Sequence, residues 1–148
     1  MTHYSDKLAT LRFLPENMRL GRKLRVYSDA RFKTIGLTQA RGQVLLHLQA
    51  AAGSLPQSEL TALLEVEHPT AIRLLDRLQA LGYITRSQGE NDRRVNDVML
   101  TETGTALANQ ASEINDDIIL QVMAGVSMQD IEHARQVIAL ISTNLDNL

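Results

Sequence analysis

Cysteine is absent from all 148 residues. That excludes a disulfide framework, thiolate catalysis, cysteine-ligated zinc and thiol-based redox sensing by the chain itself. No apolar run approaches the ~18 residues that a membrane-spanning helix needs, and the start, MTHYSDKLATLRF, lacks the apolar stretch of a secretory signal. A cytoplasmic location is the simplest expectation. There is no glycine-rich phosphate loop, no motif-placed pair of carboxylates and no nucleophile–base constellation, which argues against an enzyme. The four histidines show no His-x-x-x-His spacing with an acidic third ligand, so neither a metal nor a cofactor is expected. No internal repeat or low-complexity linker divides the chain.

What remains is a chain with 44% hydrophobic and 22% charged residues, ordinary values for a folded domain with or without an oligomerisation element. A net charge of −2 does not mark a generic nucleic-acid binder. The distribution is more telling. Residues 1–50 carry nine Lys and Arg against three acidic side chains, whereas residues 101–148 carry one against seven. Such an asymmetry either orients the molecule on a polyanion or pairs its two ends with each other. Solvated helix faces are the plain alternative.

Periodicity predicts a mainly α architecture. A helix runs from about Pro15 to Phe32, with the proline in its first turn and sparse apolar positions at Met18, Leu20, Leu24 and Tyr27. Thr38 caps a second helix whose buried stripe is Val44, Leu45 and Leu48. A short third helix, QSELTALLEV, presents Leu60, Leu63 and Leu64. The fourth, PTAIRLLDRLQALG, buries Ala71, Ile72, Leu75 and Leu78 and turns Thr70, Arg73 and Arg77 the other way. After Gly82 two strands, YITRSQ and VNDVMLT, flank a GEND turn, with Ile84, Val98 and Leu100 facing inward. Thr101 and Ser127 cap two terminal helices with more apolar surface than so small a domain covers alone.

Two short helices joined by a tight turn, the second with a basic outer stripe and a hairpin after it, match a winged helix-turn-helix. The major groove of DNA admits one helix, whose first residues meet base edges while its flanks meet phosphates. Here those first residues are His68, Pro69 and Thr70, and Arg73 and Arg77 lie about a turn apart behind them. Arg93 and Arg94 sit at the hairpin tip, where they can bury nothing. A narrow, electronegative minor groove attracts an arginine offered in that way.

The stretches GLTQAR…VLLHL, LPQSELTALLEVEHPTAIRLLDRLQALGYITR and DRRVNDVMLTETG resemble the MarR family of bacterial transcriptional regulators, and within it the SlyA-like branch. The resemblance is good over roughly residues 20–107. It implies a winged helix-turn-helix domain (36–101) flanked by dimerisation helices (1–35 and 102–148). It also implies a homodimer on pseudo-palindromic double-stranded operator DNA, often acting as a repressor and released by a small phenolic or other aromatic effector. By the same resemblance Arg94 enters the minor groove, Asp92 orients it through a salt bridge, and Arg86 contacts a phosphate. Arg93, read from its charge alone, adds general phosphate attraction. An effector pocket would involve Met18, Tyr27, Gly42 and His47, with ordinary packing the stronger reading for Met18 and Tyr27. Gly42 stands where relatives often carry a bulky aromatic, which enlarges or abolishes that pocket, and for His47 a hydrogen-bonded core position is the competing reading. Thr61 replaces a usual alanine at little cost. The alternative function is a winged-helix module that binds a protein or a ligand and not DNA.

Overall fold

Among the described residues, six helices and three short strands follow one another: α1 (Thr2–Phe32), a 3-10 turn (Lys33–Ile35), α2 (Gln39–Ala50), β1 (Ser54–Pro56), α3 (Gln57–Leu63), α4 (His68–Ala80), β2 (Ile84–Gln88), β3 (Asn96–Leu100), α5 (Glu102–Val122) and α6 (Met128–Asp146). The computed structural model describes residues 2–88 and 96–148, with side chains from residue 6 onward. Two compact units make up the chain, Met1–Asn115 and Asp116–Leu148. No described helix is long and apolar enough to cross a membrane.

The first helix differs from its sequence expectation. It begins at Thr2, so Pro15 lies in its interior and not in its first turn. A proline there removes one backbone hydrogen bond and costs about 3 kcal/mol. The preceding Lys7, Leu8, Ala9, Leu11 and Arg12 are all strong helix formers and carry the helix past it. Much of α1 is exposed, including Leu11, Leu14, Met18, Leu20 and Val26.

The core of the first unit is built as the apolar periodicity requires. Val44, Leu45 and Leu48 of α2, Leu60 of α3 and Ala71, Leu75 and Leu78 of α4 are completely buried, with Phe32 at the end of α1. Ile72 and Leu100 are half-buried, and Leu63 is exposed at the rim. Thr38 caps α2 by accepting the Arg41 N–H (3.3 Å), and Asp29 of α1 accepts the Gln39 N–H (3.0 Å). α2 therefore starts with two of its free donors satisfied. Gly42 is buried on α2 because the Phe32 ring occupies its side-chain space: a Cβ there would lie 2.8 Å from the ring.

The sheet holds one strand more than periodicity revealed. β1 pairs antiparallel with β3 (Leu55↔Val98), giving the order β1-β3-β2. At three residues, with Pro56 at its end, β1 is too short for alternation to be legible, and proline fits only because β1 is an edge. β2 and β3 pair from Ile84↔Leu100 to Gln88↔Asn96. Ile84 and Val98 point inward and are buried as expected.

A tight junction closes the sheet onto α5. Gly82 ends the α4 segment at φ +78, and the Thr101 hydroxyl donates to the Gly82 carbonyl (2.7 Å) while accepting the Gly104 N–H (3.0 Å). Gly104 then lies so close to Tyr83 that a Cβ would stand 1.8 Å from its carbonyl oxygen. This is the physical reason for the Leu-Thr-x-x-Gly stretch: backbone meets backbone, and no side chain fits between. In the second unit Ser127 caps α6 by accepting the Asp130 N–H (3.0 Å), while Ile138, Leu140 and Leu145 of that helix are exposed.

Gly104→Ala forces backbone apart and should destabilise the protein by about 3 kcal/mol, whereas Gly42→Ala, where overpacking is partly offset by better helix propensity, should cost about 1 kcal/mol. Urea unfolding of both variants checks the order, and a Gly104→Ala protein as stable as wild type would contradict the close approach. Asp29 supplies a second prediction. The Gln39 N–H, then the Lys33 ammonium (3.0 Å), hold its carboxyl below the usual carboxylate value. A depressed folded pKa contributes stability above the unfolded value, about 3.9, and loses it as pH falls through the folded value. The stability gap between wild type and Asp29→Asn should thus be constant near neutrality and shrink below about pH 4; a gap that widens in acid would reverse the sign.

Candidate nucleic-acid interface

α3 and α4 enclose a turn in which Glu65 adopts φ +51, a left-handed conformation that lets the chain reverse within four residues. α4 then begins at His68 with Pro69 in its first turn. Its N-cap, Glu67, makes no side-chain capping bond, but Pro69 has no N–H and the Thr70 N–H donates to the Glu67 carbonyl (2.9 Å), so the positive dipole end, more than free donors, suits an anion there. His68 and Pro69 are exposed and Thr70 is half-buried.

Because Ala71, Leu75 and Leu78 are buried, the opposite face of α4 must point outward. Arg73 and Arg77 are exposed on that face. The Arg73 guanidinium donates to the Thr70 hydroxyl (3.3 Å), which joins the stripe at its N-terminal end. Asp76, on the same helix as this stripe, is paired with Arg86 of β2. Arg86 also donates through Nε to Gln79 Oε1 (2.6 Å), and its side chain is only 23% exposed. Its expected phosphate contact therefore begins from a guanidinium already engaged by α4. Asp76 and Gln79 were missed as functional partners. Their signal was the i, i+3 spacing on the flank of α4 beside which β2 returns after Gly82. Asp92, Arg93 and Arg94 lie outside the described residues.

The four effector candidates do not converge. His47 is half-buried, not a core residue, and lines a cavity of about 340 Å³ together with Arg25, Gln43, Leu64, Val66 and Leu74. Met18 is exposed on α1. Tyr27 is exposed as well, with its hydroxyl accepting from Arg31 (3.1 Å) and the Arg31 guanidinium 5.9 Å from its ring centre. Gly42 opens no space, since Phe32 fills it. The other cavity residues come from α1, α2, the end of α3, the α3–α4 turn and α4, and no local pattern joins them. Among the described residues no group of three His, Asp or Glu side chains is arranged to hold a metal ion.

A helix-turn-helix whose second helix carries an outward basic stripe, followed by an antiparallel two-stranded extension, defines the winged helix-turn-helix class. The comparisons narrow it further. The profile of the MarR family matches residues 35–95. A solved structure of transcriptional regulator PA3341 is 33% identical, covering 92% of this chain and 99% of that one with a TM-score of 0.83. The chain belongs to the MarR family of transcriptional regulators. Two more distant structures share the fold. A mutant of E. coli MarR complexed with operator DNA is 20% identical, with 90% and 95% of the two chains covered and a TM-score of 0.77. The organohalide-sensing regulator RdhR-CbdbA1625 in its 2,4-dichlorophenol-bound form is 15% identical, with 93% and 80% covered and a TM-score of 0.76.

Proposed function

We infer that this chain is a homodimeric regulator that binds a pseudo-palindromic duplex operator and represses transcription from it, in the manner of the SlyA-like branch. The observation that carries the reading is the outward Thr70–Arg73–Arg77 stripe, with both arginines exposed, on a helix whose other face is locked into the core. His68, Pro69 and Thr70 meet base edges at the floor of the major groove. Arg73 and Arg77 reach a guanine edge or the flanking phosphates. Arg94, oriented by Asp92 and assisted by Arg93, enters the neighbouring minor groove. Residues 36–101 form the DNA-binding domain, and 1–35 with 102–148 form the dimerisation region. Exposed Leu11, Leu14 and Leu20 at one end of the chain and Leu140 and Leu145 at the other support that division, because such side chains gain from being covered by a second copy.

The cavity beside His47 is the site for a small effector. Its volume lies in the range of ligand pockets, and Arg25 offers a cation beside apolar Leu64, Val66 and Leu74. That combination suits a phenolate or an aromatic carboxylate. The fold is known with 2,4-dichlorophenol bound in RdhR-CbdbA1625. Binding there releases operator DNA if the ligand prefers a conformation whose wings are wrongly spaced for the grooves.

Selection from a random duplex library should enrich near-palindromes with half-sites about 10 base pairs apart. No enrichment would favour a protein- or ligand-binding module instead. On the enriched operator, Arg94→Ala and Arg73→Ala should each weaken binding, by about 1–3 kcal/mol where a base contact is lost and with a salt slope shallower by about 0.9 per subunit where a phosphate contact is lost. Unchanged affinity and slope in both would end the reading. Salicylate-like compounds should raise the melting temperature and release the operator, and His47→Ala should abolish both effects; a silent panel counts against the effector alone.

A further inference from the structure

Arg86 is a different kind of arginine from Arg73 and Arg77. Those two are exposed on the outward face of α4, while Arg86 reaches from β2 back to that helix. Its Nε donates to Gln79 and its terminal nitrogen pairs with Asp76, so one edge of the guanidinium bridges two acceptors one turn apart. A planar guanidinium offers two donors in fixed, parallel directions along one edge for such a pair, a geometry that a lysine ammonium lacks. The local arithmetic of charge matters too. Asp76 cancels Arg86, and a phosphate brought to the same guanidinium would have to approach that carboxylate as well. Asp76 and Gln79 flank the basic stripe of α4 on the side where β2 lies. Strand β2 is the root of the hairpin, and the only chain between α4 and that root is the short turn through Gly82.

We propose that Arg86 is a positioning residue and not a phosphate ligand: it straps the β2–β3 hairpin to α4 and fixes the angle between the two parts that meet DNA. Major-groove helix and minor-groove hairpin engage together only if their separation is set beforehand. The strap supplies that setting and adds no net charge to the interface. This rests on the operator-binding reading for its purpose, but not for its geometry.

The chain has no native cysteine, so the geometry can be read directly in the free protein. Spin labels on Glu67→Cys, at the start of α4, and Gln88→Cys, at the end of β2, report the helix-to-hairpin distance, with labelled subunits diluted in unlabelled protein. A narrow distribution in the parent and a broad or shifted one in Arg86→Gln is expected. Gln79→Met, which changes no charge and leaves Arg86 intact, should broaden it in the same direction and guards against a misfolded arginine variant. On the selected operator, Arg86→Gln should weaken affinity roughly tenfold while the dependence of log affinity on log salt keeps its slope, because no phosphate neutralisation is lost. A distance distribution unchanged by both substitutions overturns the strap. So does a salt slope shallower by about 0.9 per subunit in Arg86→Gln, the signature of a lost phosphate contact. If the parent binds no operator at all, the functional reading fails, and the label distances still decide the strap.

Discussion

The candidate interface hangs on the burial of one face of α4. Ala71, Leu75 and Leu78 are fully enclosed, and each leucine contributes about 1.5–3 kcal/mol by leaving water. The helix cannot roll without exposing them. Its rotation about its own axis is therefore fixed by the core, and the outward direction of Arg73 and Arg77 follows with no interaction of their own needed to hold it. Hydrophobic burial, a non-directional force, here acquires a direction through the 3.6-residue period of the helix.

A second constraint sets where the sheet stands. Gly82 and Gly104 bracket it, one turning the chain out of α4 at positive φ and the other allowing α5 to touch the Tyr83 carbonyl. Thr101 ties the two ends together with one hydroxyl that donates to Gly82 and accepts from Gly104. Short β1 adds a third strand and covers an edge of β3 that would otherwise offer unpaired backbone. Together these features anchor the base of the hairpin to the same core that holds α4. The Arg86 bridge to Asp76 and Gln79 then ties its root directly to the helix.

Charge plays a smaller part in folding than in placing polar groups. Lys33 and Asp29 form an exposed-edge pair, which solvent screens. Asp29 matters more through the Gln39 N–H it accepts, because it joins the end of α1 to the start of α2. Phe32 lies three residues further on, filling the space over Gly42. The absence of a side chain at position 42 is thus answered by a ring from another helix and not by an open pocket. The cavity lies instead beside His47, where α1, α2 and the α3–α4 turn diverge.

Much of this was legible in the residues themselves. Local order on the chain determined α2 to α6, the caps at Thr38, Thr101 and Ser127, the stop at Gly82 and the two faces of α4, because each depends on periodicity or on a hydrogen bond spanning three or four residues. The same patterns missed β1, which is too short to show a period, and placed the start of α1 too late, because a proline reads as a beginning even where a helix runs through it. Only the tertiary structure decided what fills Gly42, which residues share the cavity with His47, and that Arg86 turns to Asp76 and Gln79. Those outcomes depend on which elements come to lie side by side, a matter of core packing across many residues of intervening chain or around a turn, and no spacing along a single element encodes it.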